Sequence, residues 1–199
     1  MPDWMNRRRL AVAGTTALVV ATGALAVNAT TASADRGHAR AKIARATLHS
    51  ADGSTVGRVT LRQTRGKVVV KATARGLAPG FHGFHIHAVG RCDANAPDGP
   101  FTSAGGHYTG GRPNHGDHAG DLPSLLVTDN GRARLKFVTD RFTLRELRDA
   151  DGSAVMVHAG RDNFANIPDR YSAAGQGGPD ATTLATGDAG ARAACGVLR

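Results

Sequence analysis

Residues 80–87 read GFHGFHIH and place three histidines, His82, His85 and His87, within six positions. Phe84-His85-Ile86-His87 alternates in residue type and follows the turn signal Gly76-Leu77-Ala78-Pro79-Gly80, as a β-strand does. Residues two apart on a strand share a face, so His85 and His87 stand side by side, as two ligands of one metal must. Imidazole suits zinc, copper, iron and nickel, so the pair alone names no metal. His82 falls on the other face and reads as a structural, hydrogen-bonding histidine.

More ligand types follow along the chain. His107, His115 and His118 lie in residues 90–120, which are rich in Gly, Pro, Asn and Asp, and Asp121 comes directly after. A loop that long without secondary structure is usually functional or disordered. The concentration of ligand types favours a loop ordered by metal. His158 closes the strand pattern Ala154–His158. His85, His87, His107, His115, His118, His158 and Asp121 thus form one candidate set, and only three of the nine histidines stand outside it. One metal takes three or four such ligands. Seven imply two metals, or one metal with a shared ligand. His38 and His49 have no partners by spacing and read as surface residues. A zinc hydrolase is disfavoured, because the only glutamate is Glu146, away from the histidines.

The elements that must hold these residues are strands. Residues 41–48, 56–61, 67–74 and 80–87 carry β-type patterns separated by turn signals at Asp52-Gly53, Arg65-Gly66 and Gly76–Gly80. Strands resume at 122–128, and Asp129-Asn130-Gly131 signals a hairpin into 132–138. Residues 142–147 suggest a short helical turn. Strands at 154–158 and 191–197 flank a second long Gly/Pro/Asp-rich loop, 160–190. The pattern is all-β, a sandwich or barrel. No internal repeat or domain linker is visible.

Composition sets the setting. Arg7-Arg8-Arg9, an apolar run from Leu10 to Val27 and the small-x-small triplet Ala32-Ser33-Ala34 form a secretory signal pattern. Residues 1–34 are therefore expected to be removed, by the general or the twin-arginine route, leaving a domain at 35–199 with no stable membrane span. Cys92 and Cys195 are the only cysteines, and an even pair in an exported protein reads as one disulfide. The mature segment keeps 22 Lys+Arg against 15 Asp+Glu, a balance of +7. Such a surface suits a small anion or an anionic cell envelope. No basic tract interleaves with aromatics, which argues against nucleic acid.

Several motifs together resemble the copper–zinc superoxide dismutases. They are GFHGFHIH, Ser103-Ala-Gly-Gly-His107, His118-Ala-Gly-Asp121-Leu-Pro123, Val157-His158-Ala-Gly160 and Gly187-Asp-Ala-Gly-Ala-Arg192-Ala-Ala-Cys195-Gly196. They stand in the family's order and span residues 41–197. The resemblance implies an eight-stranded Greek-key β-barrel with two long functional loops. It implies copper on His85, His87, His107 and His158, and zinc on His107, His115, His118 and Asp121. His107 would bridge both metals as an imidazolate. Asp162 would orient one copper and one zinc histidine, and Arg192 would guide the anionic substrate. Cys92 and Cys195 match the family disulfide. The implied activity is dismutation of superoxide to O₂ and H₂O₂ by copper redox cycling, with zinc structural and His107 passing a proton.

One departure stands out. Only Gly116 and Asp117 separate His115 from His118, fewer residues than the family places there, and some bacterial relatives have lost zinc. Arg161 and Arg170 read as solvated charges. The family contains monomers and dimers, so a homodimer stays open. A copper carrier and an envelope-binding structural protein rank below the enzyme, because the copper histidines and Arg192 are all present.

Overall fold

The computed structural model describes residues 42–199. The expected signal segment and His38 lie outside the described residues. The strands are β1 (Lys42–His49), β2 (Thr55–Thr64), β3 (Lys67–Arg75), β4 (Gly80–His82), β5 (Phe84–His87), β6 (Leu125–Val127), β7 (Arg132–Thr139), β8 (Ala154–His158), β9 (Ser172–Ala173), β10 (Gln176–Gly177) and β11 (Arg192–Val197). A short helix, α1, covers Ala181–Thr186, and 3-10 turns cover Thr102–Ala104 and Glu146–Arg148.

One sheet has the order β4-β6-β7-β3-β2-β1-β11-β8-β5, with every neighbouring pair antiparallel. Its two ends, β4 and β5, are separated in the chain by Gly83 alone, so the sheet curls back on itself as a nearly closed barrel. The fold class is as expected, but the strand count differs, because residues 80–87 form two strands rather than one. Gly83 is the reason. A Cβ there would lie 2.6 Å from the Ala189 Cβ, so the chain passes close beneath the last loop. The Gly83 N–H donates to the Gly160 carbonyl, and its own carbonyl accepts from the His158 N–H. These bonds turn the chain from one end of the sheet to the other.

Local chemistry explains the hairpins. Arg65 and Gly66 both have positive φ (45° and 80°), the type I′ geometry that matches strand twist. β1 alternates exposed Arg45, Thr47 and His49 with buried Ala44, Ala46 and Leu48, and β3 alternates in the same way. The inward residues meet Phe84, Ile86, Val155 and Val157 in one core. Residues 142–148 plug that core with Phe142, Leu144 and Leu147. The plug is held by a capping box: the Glu146 carboxylate accepts from the Thr143 N–H, and the Glu146 N–H donates to Thr143 Oγ1.

The free edge of β5 is covered by the first long loop. Ile86 N–H donates to the Gly120 carbonyl, Tyr108 N–H to the Ile86 carbonyl and Ala88 N–H to the Gly106 carbonyl. Single bridges pair His85 with Asp121 and His87 with His107. The second loop differs from expectation in carrying the β9–β10 ribbon and α1. Asp180 caps α1 by accepting from the Thr183 N–H, and Gly187 ends it in the left-handed conformation at φ 61°.

Cys92 and Cys195 form a disulfide with a Cα–Cα distance of 5.7 Å and a sequence separation of 103. It ties the first loop to β11 and packs with Phe101, Ala104, Ala154 and Met156 in a small satellite core. Closing so long a loop contributes roughly 3–5 kcal/mol in the chain-entropy model. The Cys92→Ser/Cys195→Ser double variant should therefore lose stability of about that size in urea unfolding. An unchanged midpoint would show that the loop is held by other contacts.

Candidate metal centre

The strands deliver the histidines as their period dictates. His85 and His87 on β5 face His158, which ends β8, while β11 places Arg192 opposite His158. The first long loop brings in His107, His115, His118 and Asp121, all buried. Every ligand predicted from the sequence lies in this one region. The others fall where the sequence reading put them: His82 is buried and bonded to the carbonyls of Ala78 and His158, and His49 is exposed.

Two groups of donor atoms converge. The first is His85, His87, His107 and His158, and the second is His85, His107, His115 and Asp121, with the atoms of each group all within 4.8 Å of one another. His85 and His107 belong to both. His107 Nδ1 lies 3.1 Å from Asp121 Oδ1 and 3.2 Å from His115 Nδ1, which leaves Nε2 for the first group.

His87, His158 and His85 are each fixed through one ring nitrogen, which turns the other toward the site. His87 Nδ1 donates to the Gly105 carbonyl and His158 Nδ1 to the Gly190 carbonyl. Their Nε2 atoms then lie 3.4 Å apart, aimed at the same space. Asp162 accepts from His85 Nε2 at 2.6 Å and from His115 Nε2 at 2.7 Å, so one carboxylate sets two rings. The Phe164 N–H holds that carboxylate in turn. His85 Nδ1 and His118 Nδ1 are buried with no hydrogen-bond partner among the described residues. Buried polar atoms without partners are costly and rare, and a metal ion satisfies both. His85 has one free nitrogen and can serve one ion. His118 Nδ1, 3.6 Å from Asp121 Oδ1, supplies the matching free donor on the other side. The residues present fit two metal ions.

The short His115–His118 spacing closes through a tight turn. Asp121 Oδ2 accepts from the N–H groups of Gly116 and His118, leaving Oδ1 toward the histidines. Gly116 supplies φ 88°. Arg141 clamps the turn from β7's end by donating to the carbonyls of Gly116 and His118. The Leu184 carbonyl of α1 receives the His115 N–H. Gly187 lies so close to Asp162 and His115 that a Cβ there would overlap both.

Sequence reasoning missed Arg141, Gly187 and the acceptor carbonyls of Phe101, Gly105 and Gly190. Arg192 donates to the carbonyls of Phe101 and Gly105, so Gly105 binds both Arg192 and His87. Phe101 presents its carbonyl from a left-handed backbone, φ 62°, which is strained for this residue and held by its burial beside the disulfide. A carbonyl belongs to every residue, so type and spacing give it no signal. Only the glycines at 105, 187 and 190 hinted at special backbone, and all three have positive φ.

Comparison with known proteins gives this geometry a context. Residues 55–198 match the family described as Copper/zinc superoxide dismutase (SODC). The chain belongs to that family. It is 46% identical over 163 residues to "Superoxide dismutase [Cu-Zn]" of Mycobacterium tuberculosis, covering 76% of this chain and 68% of the relative. It is 39% identical over 157 residues to the protein of the same name from Photobacterium leiognathi, covering 74% and 80%. Among solved structures, the Cu/Zn superoxide dismutase from Brucella abortus superposes with a TM-score of 0.60 at 29% identity, covering 79% of this chain and all of that one. The two donor groups thus sit on the barrel of a copper/zinc family.

Electrostatics separates the two sides of the site. Burial, with the neighbouring His107, holds His87 well below the ordinary imidazole range. Burial lowers His158 to about 3. Burial lowers His107 to about 4 against the opposing pull of Asp121. His115 is also buried, but Asp121 and Asp162 outweigh this and raise it to about 9. Burial acts to raise both carboxyls, yet hydrogen bonds from His107 and His115 hold Asp121 low, and those from His115 and His85 hold Asp162 low.

The signs fix how the metal-free protein responds to pH. Unfolded histidines protonate near ~6.5, whereas His87, His107 and His158 resist protonation when folded, so stability falls as pH drops from about 6.5 toward 4. The contributions of Asp121 and Asp162 are lost only further down, below about 4. That of His115 is complete below about 6.5 and disappears as pH rises through 9. Urea midpoints of the metal-free protein should therefore peak near neutrality and fall steeply on the acid side. Loading with copper and zinc should flatten the acid limb until the metals dissociate. A metal-free profile that is flat between about pH 6.5 and about pH 4 would contradict this.

Proposed function

We propose that this protein is a superoxide dismutase that binds copper through His85, His87, His107 and His158, and zinc through His107, His115, His118 and Asp121. The observation that carries the reading is two converging donor groups that share His85 and His107, together with the unpartnered buried Nδ1 atoms of His85 and of His118 beside Asp121. When bound, copper supplies the one-electron exchange that turns one superoxide into O₂ and a second, with two protons, into H₂O₂, while zinc keeps its side of the site in shape.

The chain's own residues do the rest. His107 is the proton carrier: its Nδ1 is committed toward His115 and Asp121, so Nε2 is the atom that takes up and returns a proton. Asp162 positions His85 and His115 together and keeps their Nδ1 atoms turned inward. Arg192 is half-buried, and the Phe101 and Gly105 carbonyls fix its guanidinium beside His87 and His158. Its charge then attracts superoxide to the copper side, as a positive funnel attracts a small anion. Arg161 and Arg170 are exposed, and Arg170 lies over the Tyr171 ring at 4.8 Å, which fits solvated charges.

The mature form in this reading is residues 35–199, exported after removal of 1–34. The Cys92–Cys195 disulfide supports an oxidising compartment. Among the described residues no helix is long and apolar enough to cross a membrane. The positive balance favours loose association with an anionic cell envelope.

Metal content and superoxide consumption measured on one mature sample test the assignment. About one copper and one zinc per chain with fast turnover is expected (one ion per complete donor group). Activity with copper but no zinc would remove the zinc roles of His115, His118 and Asp121. Metal without turnover would favour a copper carrier. His85→Ala should abolish copper binding and activity together. Arg192→Ala should keep the metals, lower kcat/KM by about tenfold or more and weaken its salt dependence; unchanged kinetics would remove Arg192 from the mechanism.

A further inference from the structure

The outward face of β1, β2, β3 and β7 carries no acidic residue. The pairing register lines its cations up in rows. Arg75 stands directly opposite Arg132, and Lys71 opposite Lys136. Thr73 has Arg134 on one side and Arg58 on the other. Thr60 lies between Lys71 and Arg45. Like charges directly opposite each other on a sheet are destabilising. Nothing here offsets them: among the described residues, the ion pairs made by Lys or Arg are Arg91–Asp93 and Arg141–Asp117, both at 3.9 Å and neither on this face.

At one end the face sinks into a groove of about 440 Å³ lined by Arg58, Arg75, Arg132 and Arg134, with the hydroxyls of Thr55 and Thr73 between them. Gly57 in its lining leaves no room for a side chain, since a Cβ would lie 2.5 Å from the Thr73 carbonyl oxygen. The metal centre lies elsewhere, on β5, β8 and the long loops, and β11 separates those strands from β1 in the sheet.

We propose that this groove and the cationic rows beyond it bind a linear polymer of phosphate groups, with Arg58, Arg75, Arg132 and Arg134 as the principal contacts. The guanidinium fork matches phosphate oxygens in pairs. Strands set the cations ~5 Å apart across the sheet and ~7 Å apart along it, so a partner must carry charge at similarly close intervals. A polyphosphate does so at every unit, whereas a polysaccharide with one acid per disaccharide would leave most rows unmatched. Single-stranded nucleic acid is a poorer fit, because base stacking needs aromatic side chains and the only outward ring on these strands is His49, at the end of β1. The proposal rests on the envelope association above only in giving it a surface, and does not depend on the metals.

The test uses mature, metal-loaded protein and long-chain inorganic polyphosphate, with binding read by calorimetry or anisotropy at 50 and 200 mM salt. Four phosphate contacts predict a weakening of about 50-fold between those salts. Arg75→Gln/Arg132→Gln/Arg134→Gln should bind at least tenfold more weakly, and its salt effect should shrink to about threefold. Its superoxide turnover should be unchanged and its Tm unchanged or raised, because repulsion is relieved. Arg91→Gln/Arg112→Gln/Arg145→Gln removes the same charge from other surfaces and should keep most of the affinity. Should the triple variant fold poorly, Arg134→Glu alone should still weaken binding. No binding at 50 mM salt, or equal loss in both triple variants, overturns the proposal. So does tighter binding to single-stranded DNA or to anionic phospholipid vesicles. If binding stands while turnover is absent, the dismutase reading fails alone.

Discussion

Imidazole has two nitrogens, and the arrangement of this protein follows from fixing one of them and turning the other toward the neighbouring donors. Backbone carbonyls at Gly105 and Gly190 hold His87 and His158, and Asp162 holds His85 and His115. A free imidazole nitrogen in a dry interior is unfavourable by itself. It becomes favourable when several converge on a cation, so the rings are stable as a group and not singly. The same dryness keeps His87, His107 and His158 neutral and ready to ligate. The loops, the helix α1 and the disulfide all serve to hold the second nitrogens in place.

Much of this was legible in the sequence, and the reason is periodicity. His85 and His87 are two apart, so a strand must turn them the same way, and β5 does. The concentration of histidines in residues 90–120 marked a loop that needs a metal-like partner. The cysteine count alone gave the pairing of Cys92 with Cys195, the resemblance added the role of Asp162, and the structure shows the disulfide and the contacts of Asp162 with His85 and His115. What could not be read was whatever rests on backbone atoms or on clearance. The break at Gly83 depends on how near Ala189 passes, which is a fact of tertiary packing. Arg141 looks like any exposed arginine until the turn at residues 115–118 is seen to end beneath it. The short spacing between His115 and His118 argued for an altered loop, and the structure shows the alteration to be a turn wrapped on one carboxylate.

Chemistry is distributed unevenly around the barrel. The half built from β5, β8 and β11 is loaded with buried polar groups whose geometry is fixed by neighbours. The half built from β1, β2, β3 and β7 has an apolar interior and a cationic exterior, with long registers broken only by a bulge at Leu48/His49 between β1 and β2. The regular half supplies the rigidity on which the irregular half depends, because long ladders and alternating patterns leave few alternative registers.

The sealing of β5 by a loop instead of a strand has a consequence for the protein's behaviour outside its native state. β8 covers one edge of β5, and the other is covered by Tyr108, Gly106 and Gly120 of the first long loop. The barrel's closure is thus completed by the segment that carries His107, His115, His118 and Asp121. A chain whose loop has come away presents a row of unpaired amides and carbonyls beside Phe84 and Ile86. An open apolar edge of that kind is a template for strand addition from another molecule. Metal occupancy and the disulfide therefore guard against intermolecular β-pairing as much as they serve chemistry, and self-association is the failure to which this architecture is most exposed.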